Sequence, residues 1–278
     1  MHDIFMRFPE GKAKVLTLSY DDGAVQDKRL IKIMLENGLR GTFNINSGLF
    51  GQESVTVGRR MTTEEAVSVY RESGMEVAVH TLTHPHLEQL PEKLCVKEVA
   101  QDRDNLEKLF GSIIRGMAYP FGTTNDSVIN ALRKSRIAYA RTTVATEKFD
   151  MPTDWLKLPT TCHHTNPRLM KLANTFMEKE ILDNPQMFYL WGHSFEFDYN
   201  LPNNNWGIIE EFARHIGNHA DIWYATNLEI FDYIAAYNQL LFSMDYSTVS
   251  NPSCMNIYFK VNNATYRIRP GETIHIRN

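Results

Sequence analysis

The fold is decided by the stretch Val15-Leu16-Thr17-Leu18-Ser19-Tyr20-Asp21-Asp22-Gly23, which ends in two adjacent carboxylates and a glycine. Its apolar residues predict a strand buried on both faces, and Gly23 allows a turn directly after it. Two neighbouring carboxylates repel each other unless a positive group lies beside them. A metal ion would supply that charge, with one carboxylate as ligand and the other free as a base. A solvated turn is the simpler interpretation.

The composition is that of a globular protein. The chain has 278 residues, of which 43% are hydrophobic and 22% are charged, enough for one large α/β domain or two small ones. The net charge of -4 and the lack of a basic run argue against nucleic acid as a partner. Three scattered cysteines argue against a disulfide framework and a cysteine metal site.

No stretch of the sequence is apolar enough to cross a bilayer, and the first nine residues lack the apolar run of a signal peptide. We therefore expect a cytoplasmic protein with no membrane partner, although a protein trimmed of its leader would have the same sequence.

Strands and helices alternate along the chain. After the opening strand we predict strands at 41–46, 75–79, 113–119, 137–143, 187–193 and 222–225, with helices between them. Such alternation without short hairpins indicates a parallel α/β sheet, and about seven strands favour a distorted (β/α) barrel of the TIM-barrel-like type. We assign residues 1–242 to this barrel and residues 243–278, which read as short strands, to a small β appendage.

Polar residues gather where the predicted strands end. His80 and His84 follow the third strand, and His193 ends a later one. In a barrel all these strand ends open on one face. The His80-x-x-x-His84 spacing would place two imidazoles one helical turn apart, close enough to share a divalent ion. With one aspartate they would form an open site for Zn²⁺, Co²⁺, Ni²⁺ or Fe²⁺.

Five short motifs, taken together, resemble those of the polysaccharide deacetylase family, over residues 14–236. They are, in order, Ser-Tyr-Asp21-Asp22-Gly, His80-x-x-x-His84, Tyr119-Pro120-Phe121-Gly122, Asp154-Trp155 and Leu-Trp-Gly-His193. The resemblance implies a distorted (β/α) barrel. It also implies a metal-dependent hydrolase of carbohydrate metabolism that acts on amide C–N bonds other than peptide bonds.

The resemblance also implies a role for each matching residue. Asp22, His80 and His84 correspond to metal ligands, Asp21 to the general base and His193 to the general acid. Asp154 corresponds to the residue that orients His193. We expect the substrate pocket to be lined by Tyr119, Pro120, Phe121, Trp155 and Trp191, with the backbone N–H of Phe121 at the oxyanion.

Two positions depart from the family pattern. Ala118 stands where the family often has an arginine that pairs with the base. Arg115 or Arg141 could replace it, and we favour Arg141 because it lies at the end of the next strand. Trp191 stands where a smaller aliphatic residue is common, so its ring either narrows the acetyl pocket or faces the core.

The leading hypothesis is metal-dependent removal of acetyl groups, mostly N-acetyl, from a saccharide substrate. A ring-opening amidohydrolase of the allantoinase-like branch is one alternative, although such relatives tend to lose metal ligands. A catalytically inactive carbohydrate-binding relative is another, although Asp21 and His193 are both present. The sequence leaves the oligomeric state open.

Overall fold

The structure is a computed structural model that describes residues 4–262 and 264–276. These residues contain seven α-helices. They are α1 (Asp27–Glu36), α2 (Thr63–Ser73), α3 (Glu92–Phe110), α4 (Asp126–Lys134), α5 (Leu169–Glu178), α6 (Trp206–Ile216) and α7 (Asn227–Tyr237). Short 3-10 helices lie at Pro9–Gly11, Ser47–Leu49, Leu87–Gln89, Pro120–Gly122 and Ser194–Tyr199.

The strands in the same described ranges fall into one large parallel sheet and several small antiparallel ones. They are β1 (Ile4–Arg7), β2 (Lys14–Asp21), β3 (Gly41–Ile45), β4 (Glu53–Ser54), β5 (Gly58–Arg59), β6 (Glu76–Val79), β7 (Gly116–Ala118), β8 (Tyr139–Ala145), β9 (Leu158–Thr160), β10 (Cys162–His163), β11 (Gln186–Gly192), β12 (Ile222–Tyr224), β13 (Leu241–Phe242), β14 (Thr248–Ser250), β15 (Ile257–Val261), β16 (Ala264–Ile268) and β17 (Thr273–His275).

The parallel sheet closes on itself as a barrel. Its strands run in the order β10-β11-β2-β3-β6-β7-β8-β9. Only Thr161 separates β9, which pairs with β8, from β10, which pairs with β11. Counting β9 and β10 as one interrupted strand, the ring has seven positions, so the prediction of a distorted (β/α) barrel of about seven strands is confirmed.

Strand β2 is the strand around which this barrel is arranged, and every one of its residues is buried. On one side it pairs with β11 along Lys14–Tyr20. On the other side it pairs with β12 at Lys14–Leu16 and with β3 at Leu18–Asp21. Because β12 and β3 both pair with the same edge of β2, the barrel is irregular at this strand. The near-continuous apolar run of β2 is what a strand covered on both faces requires.

The sheet β1-β15-β16 closes the amino-terminal end of the barrel, where β2 and β11 begin. Strand β1 pairs antiparallel with β15, and β15 pairs with β16. Their apolar side chains pack with α7 and with Val15 and Met187, near the start of β2 and β11, in a second hydrophobic cluster. The predicted boundary between residues 1–242 and 243–278 stays a prediction. Among the described residues, no helix has both the length and the apolar character that spanning a membrane requires.

Candidate active site

The turns that follow the barrel strands carry unusual backbone angles. Asp21 is the last residue of β2, and Asp22 after it has φ of 79°. Positive φ also occurs at Thr81, His84 and Phe121, with values of 68°, 59° and 58°, after β6 and β7. Non-glycine residues adopt this region at an energetic cost, and such residues cluster at functional sites. The strained turns therefore mark the carboxyl-terminal face of the barrel as the candidate site.

Three predicted metal ligands converge at this face. The Oδ1 of Asp22 lies 4.0 Å from Nε2 of His80 and 3.7 Å from Nε2 of His84. One ligand atom from each residue lies within 4.8 Å of the other two. The Nδ1 of His80 lies 2.8 Å from the carbonyl oxygen of Ala118, which fixes the ring with Nε2 toward the cluster, as in many histidine metal sites.

The two histidines meet in a way that the sequence did not predict. Their ring centroids lie 4.8 Å apart, but residues 80–86 form a loop, and α3 begins only at Glu92. The prediction that helical spacing brings them together is wrong. The left-handed backbone of Thr81 and His84 folds the loop back instead. Burial, followed by the nearby His80, lowers the pKa of His84 to about 4, which keeps its imidazole neutral.

Asp21 lies beside these ligands with cationic and amide partners of its own. The guanidinium of Arg141 donates to Oδ2 of Asp21, and Nδ2 of Asn44 donates to Oδ1 over 2.8 Å. Burial alone would raise the pKa of Asp21, but Arg141 and the neighbouring histidines lower it below its usual value. Arg141, the arginine that the sequence favoured, thus contacts the carboxylate of Asp21, while Arg115 pairs with Asp232.

His193 lies between two carboxylates. Its Nε2 is 3.9 Å from Oδ2 of Asp21, and its Nδ1 is 3.2 Å from Oε1 of Glu196. Burial alone would lower the pKa of His193, but Glu196 and Asp21 raise it above its usual value. Burial opposes ionisation of Glu196, yet the neighbouring imidazoles of His164 and His193 hold its pKa far below the usual range.

The predicted orienting residue Asp154 is not the partner of His193, and this prediction is corrected to Glu196. The Asp154 carboxylate is exposed, and its Oδ1 accepts a hydrogen bond from the Leu156 N–H. The preceding strand, β8, donates its Ala140 N–H to the carbonyl of Trp155. The loop therefore lies alongside the start of β8, away from the carboxyl-terminal face.

The predicted pocket residues separate into two groups. Trp155 packs edge-on against Phe231 in the cluster at the opposite end of the barrel, so its assignment to the pocket is wrong. Pro120 is buried and does not line the cavity beside Asp22. Tyr119 does line it, although its hydroxyl donates to the carbonyl of Leu156. Phe121 also lines the cavity, half-exposed and stacked on His86.

Trp191 faces the cavity rather than the core. It lines the space beside Asp21 and Asp22, and the guanidinium of Arg141 lies 4.5 Å from its ring centroid. The ring therefore holds Arg141 from one side by a cation–π contact. The cavity has a volume of about 410 Å³. Its outer wall is formed by Val57 near the β4–β5 hairpin and by Phe195 and Tyr199 after β11.

Sequence reasoning missed three residues that act on the site. Arg60 is buried, with Nη2 3.4 Å from Oδ1 of Asp22. Asn44 supports Asp21, and its signal was a polar residue inside the apolar alternation of β3. Glu196 had the signal of a carboxylate three residues after a histidine. Nothing local in the sequence marks Arg60.

The family model described as polysaccharide deacetylase matches residues 9–140. The predicted resemblance to the polysaccharide deacetylase family is confirmed. The matched region contains Asp21, Asp22, His80 and His84 and ends before His193. No curated protein matches the chain.

Solved structures share the fold at low sequence identity. A protein from Mycobacterium smegmatis assigned to the polysaccharide deacetylases is 17% identical, with 83% of this chain and 93% of that chain covered and a TM-score of 0.57. A family 4 carbohydrate esterase from Streptomyces lividans in complex with acetate is 19% identical, with 74% and 88% covered and a TM-score of 0.50.

A deacetylase from Streptococcus pyogenes in complex with acetate is 22% identical, with 51% of this chain and 61% of that chain covered and a TM-score of 0.46. The chain thus matches less than two thirds of the length of that protein.

Proposed function

We propose that this protein is a divalent-metal-dependent hydrolase that removes acetyl groups, chiefly N-acetyl, from a carbohydrate. The family match supports a hydrolase of the deacetylase type. One observation supports the finer proposal most directly. Three ligand atoms, an ionised aspartate and a histidine with a raised pKa all line one cavity.

The donor set suits the proposed ion. One carboxylate oxygen and two imidazole nitrogens leave further positions open, as catalytic zinc sites do, and cobalt or nickel fits the same donors. An ion bound there supplies polarisation of the acetyl carbonyl and a lowered pKa of a water molecule.

The residues around this site divide the proton transfers between them. Asp21, kept ionised by Arg141, accepts a proton from the attacking water as a new C–O bond forms. His193, kept protonated by Glu196, donates a proton to the sugar amine as the C–N bond breaks. The products are acetic acid and the free amine, and Asp21 gains one proton for the one that His193 loses.

The cavity fits one acetylated sugar unit. Its volume of about 410 Å³ is in the range of small-molecule sites. Trp191 and Phe121 present ring surfaces to it, and such surfaces can pack on an acetyl methyl group or a sugar ring. We place the Phe121 N–H at the developing oxyanion, because Phe121 lines the cavity and the left-handed φ of this residue turns the backbone at that point.

The test is acetate release from N-acetylated chito-oligosaccharides, with and without a chelator. Asp21→Asn should lower kcat by about 10²- to 10⁴-fold, the usual effect of losing a general base, while metal analysis finds the ion still bound. His80→Ala should lose both bound metal and activity. Asp104→Asn, an exposed carboxylate on α3 paired with Lys108, is the matched control.

Other outcomes would redirect the proposal. Loss of metal from Asp21→Asn would reverse the roles given to the two aspartates. Turnover that resists the chelator would favour the ring-opening branch. Sugar binding without turnover, in protein shown to hold metal, would favour a carbohydrate-binding relative.

A further inference from the structure

A second group of metal-binding side chains lies on the far side of His193. It consists of His163 at the end of β10, His193 after β11 and Glu196 in the 3-10 helix Ser194–Tyr199. One ligand atom from each lies within 4.8 Å of the other two. This group, here called the His163 cluster, shares no residue with Asp22, His80 and His84.

The barrel topology brings the His163 cluster together. Strands β10 and β11 are parallel neighbours, with His163 opposite Trp191, so His163 and His193 leave the barrel at the same face. The 3-10 helix that begins at Ser194 then returns Glu196 by one turn, so that its carboxylate lies between the two imidazoles. Oε1 is 3.2 Å from Nδ1 of His193, and Oε2 is 3.4 Å from Nε2 of His163.

One oxygen of this carboxylate lacks an aligned donor. Oε2 of Glu196 is buried and accepts no well-directed hydrogen bond from the described residues, although Nε2 of His164 is 3.1 Å away. A buried carboxylate oxygen without a directed donor is costly. A cation between Oε2 and the imidazoles would satisfy it.

The orientation of His163 fits a ligand role. Its Nε2 faces Oε2 of Glu196. Its Nδ1 lies 2.8 Å from Oγ1 of Thr165 and also accepts from the Thr165 N–H over 3.3 Å. A cation bound at Nε2 would move the ring proton to Nδ1, where Oγ1 of Thr165 can accept it. Metal-binding histidines usually donate a hydrogen bond from their second ring N–H to such a neighbour. His164 differs, because its Nε2 also lies 3.1 Å from Oδ1 of Asn204, so its Nε2–H has an amide acceptor.

We propose that His163, His193 and Glu196 form a second, inhibitory site for Zn²⁺. Two imidazoles and one carboxylate are a donor set that zinc accepts, with a fourth position for water. The inhibitory effect rests on the proposed function. Coordination through Nδ1 leaves His193 a neutral imidazole whose remaining proton is on Nε2, so it cannot act as the imidazolium acid. The same ion also takes Glu196 away from His193.

Zinc binding is measured first, by equilibrium dialysis with metal analysis. The wild type should bind two Zn²⁺ per chain, and His163→Gln should lose the weaker site or weaken it by at least about tenfold, since even outer-shell changes cost 10–100-fold. His80→Ala should retain the His163 cluster site, so this readout does not depend on deacetylase activity. His215→Gln on α6, which contacts Asn174, is the matched control.

Activity is then followed as free Zn²⁺ rises. Wild-type acetate release should increase as the first site fills and fall by at least about tenfold as the second site fills. His163→Gln should keep its activity at the Zn²⁺ concentrations that inhibit the wild type, because its inhibitory site binds zinc at least about tenfold more weakly. One Zn²⁺ per chain in the wild type, or unchanged zinc binding by a folded His163→Gln, would overturn the proposal. Two bound Zn²⁺ without inhibition would overturn the inhibitory role.

Discussion

At the scale of single residues, the site depends on how each charged group is paired. Asp21 has Arg141 and Asn44 as donors, so its carboxylate remains ionised although it is buried. His193 has Glu196 on one nitrogen and Asp21 beyond the other. The pKa values of the two groups are thus shifted apart, that of Asp21 downward and that of His193 upward, which is the arrangement of a base and an acid working at one pH.

Glu196→Gln should move the pH profile of the enzyme. In the proposed mechanism the protonated form of His193 is the acid. Activity should therefore fall as pH rises through the pKa of His193, which burial lowers but Glu196 and Asp21 raise above its usual value. A neutral amide of the same size keeps the hydrogen-bond geometry and loses the charge, so the falling limb of kcat should shift to lower pH. Glu210→Gln, on an exposed carboxylate paired with Arg29, is the control. Superimposable profiles would remove Glu196 from the mechanism.

At the scale of elements, the loops after the strands are tied to one another through buried polar groups. Asp27, the first residue of α1, accepts hydrogen bonds from the Tyr70 hydroxyl of α2 over 2.6 Å and from the Ser194 hydroxyl over 2.5 Å. Ser194 directly follows His193. The carboxyl of Asp27 therefore connects two helices to the segment that carries the proposed acid.

Asp27→Asn should make stability depend less on pH. Burial raises the pKa of Asp27 to about 7, above its ordinary value, so folding favours the protonated form. Its stabilising contribution is fully present below the ordinary carboxyl pKa and is lost as pH rises toward 7. Unfolding temperatures measured from pH 4 to pH 8 should fall less in the variant than in the wild type. An equal slope, with Asp104→Asn as control, would mean that Asp27 is ionised throughout.

At the scale of the whole molecule, the candidate site and the small sheet that closes the barrel lie at opposite ends. The candidate site occupies the carboxyl ends of the strands, while the sheet β1-β15-β16 and α7 pack beneath their amino ends. The Tyr233 hydroxyl of α7 contacts two neighbouring strands of that sheet, β1 and β15. It donates to the carbonyl of Arg7 over 2.7 Å and accepts from the N–H of Tyr258 over 2.9 Å.

Tyr233→Phe should lower stability without changing the site. The variant leaves the Tyr258 N–H and the Arg7 carbonyl without their partner, which costs about 1–3 kcal/mol for a buried group. Urea unfolding measures this loss, and kcat per folded molecule should stay at the wild-type value because the site lies at the other end. Tyr237→Phe, one turn further along α7, is the control. A loss of kcat in folded protein would show that the two ends are coupled.

The sequence by itself placed five of the site residues at the carboxyl face of the barrel. Four of them stand at or just after a strand end, namely Asp21, Asp22, His80 and His193, and Arg141 lies within β8. Parallel strands bring such residues to one place whatever their separation in sequence. That inference needs only the alternation of strands and helices, which the apolar pattern records.

Only the tertiary structure decided which of those groups touch. Glu196 rather than Asp154 pairs with His193, because the path of the 146–157 loop places Asp154 toward the start of β8 and no periodic pattern encodes that path. The contact between His80 and His84 comes from two left-handed residues rather than a helix. The placement of Arg60 and the His163 cluster depends likewise on loops returning over the barrel, where distances of a few ångströms are set by packing between segments far apart in the chain.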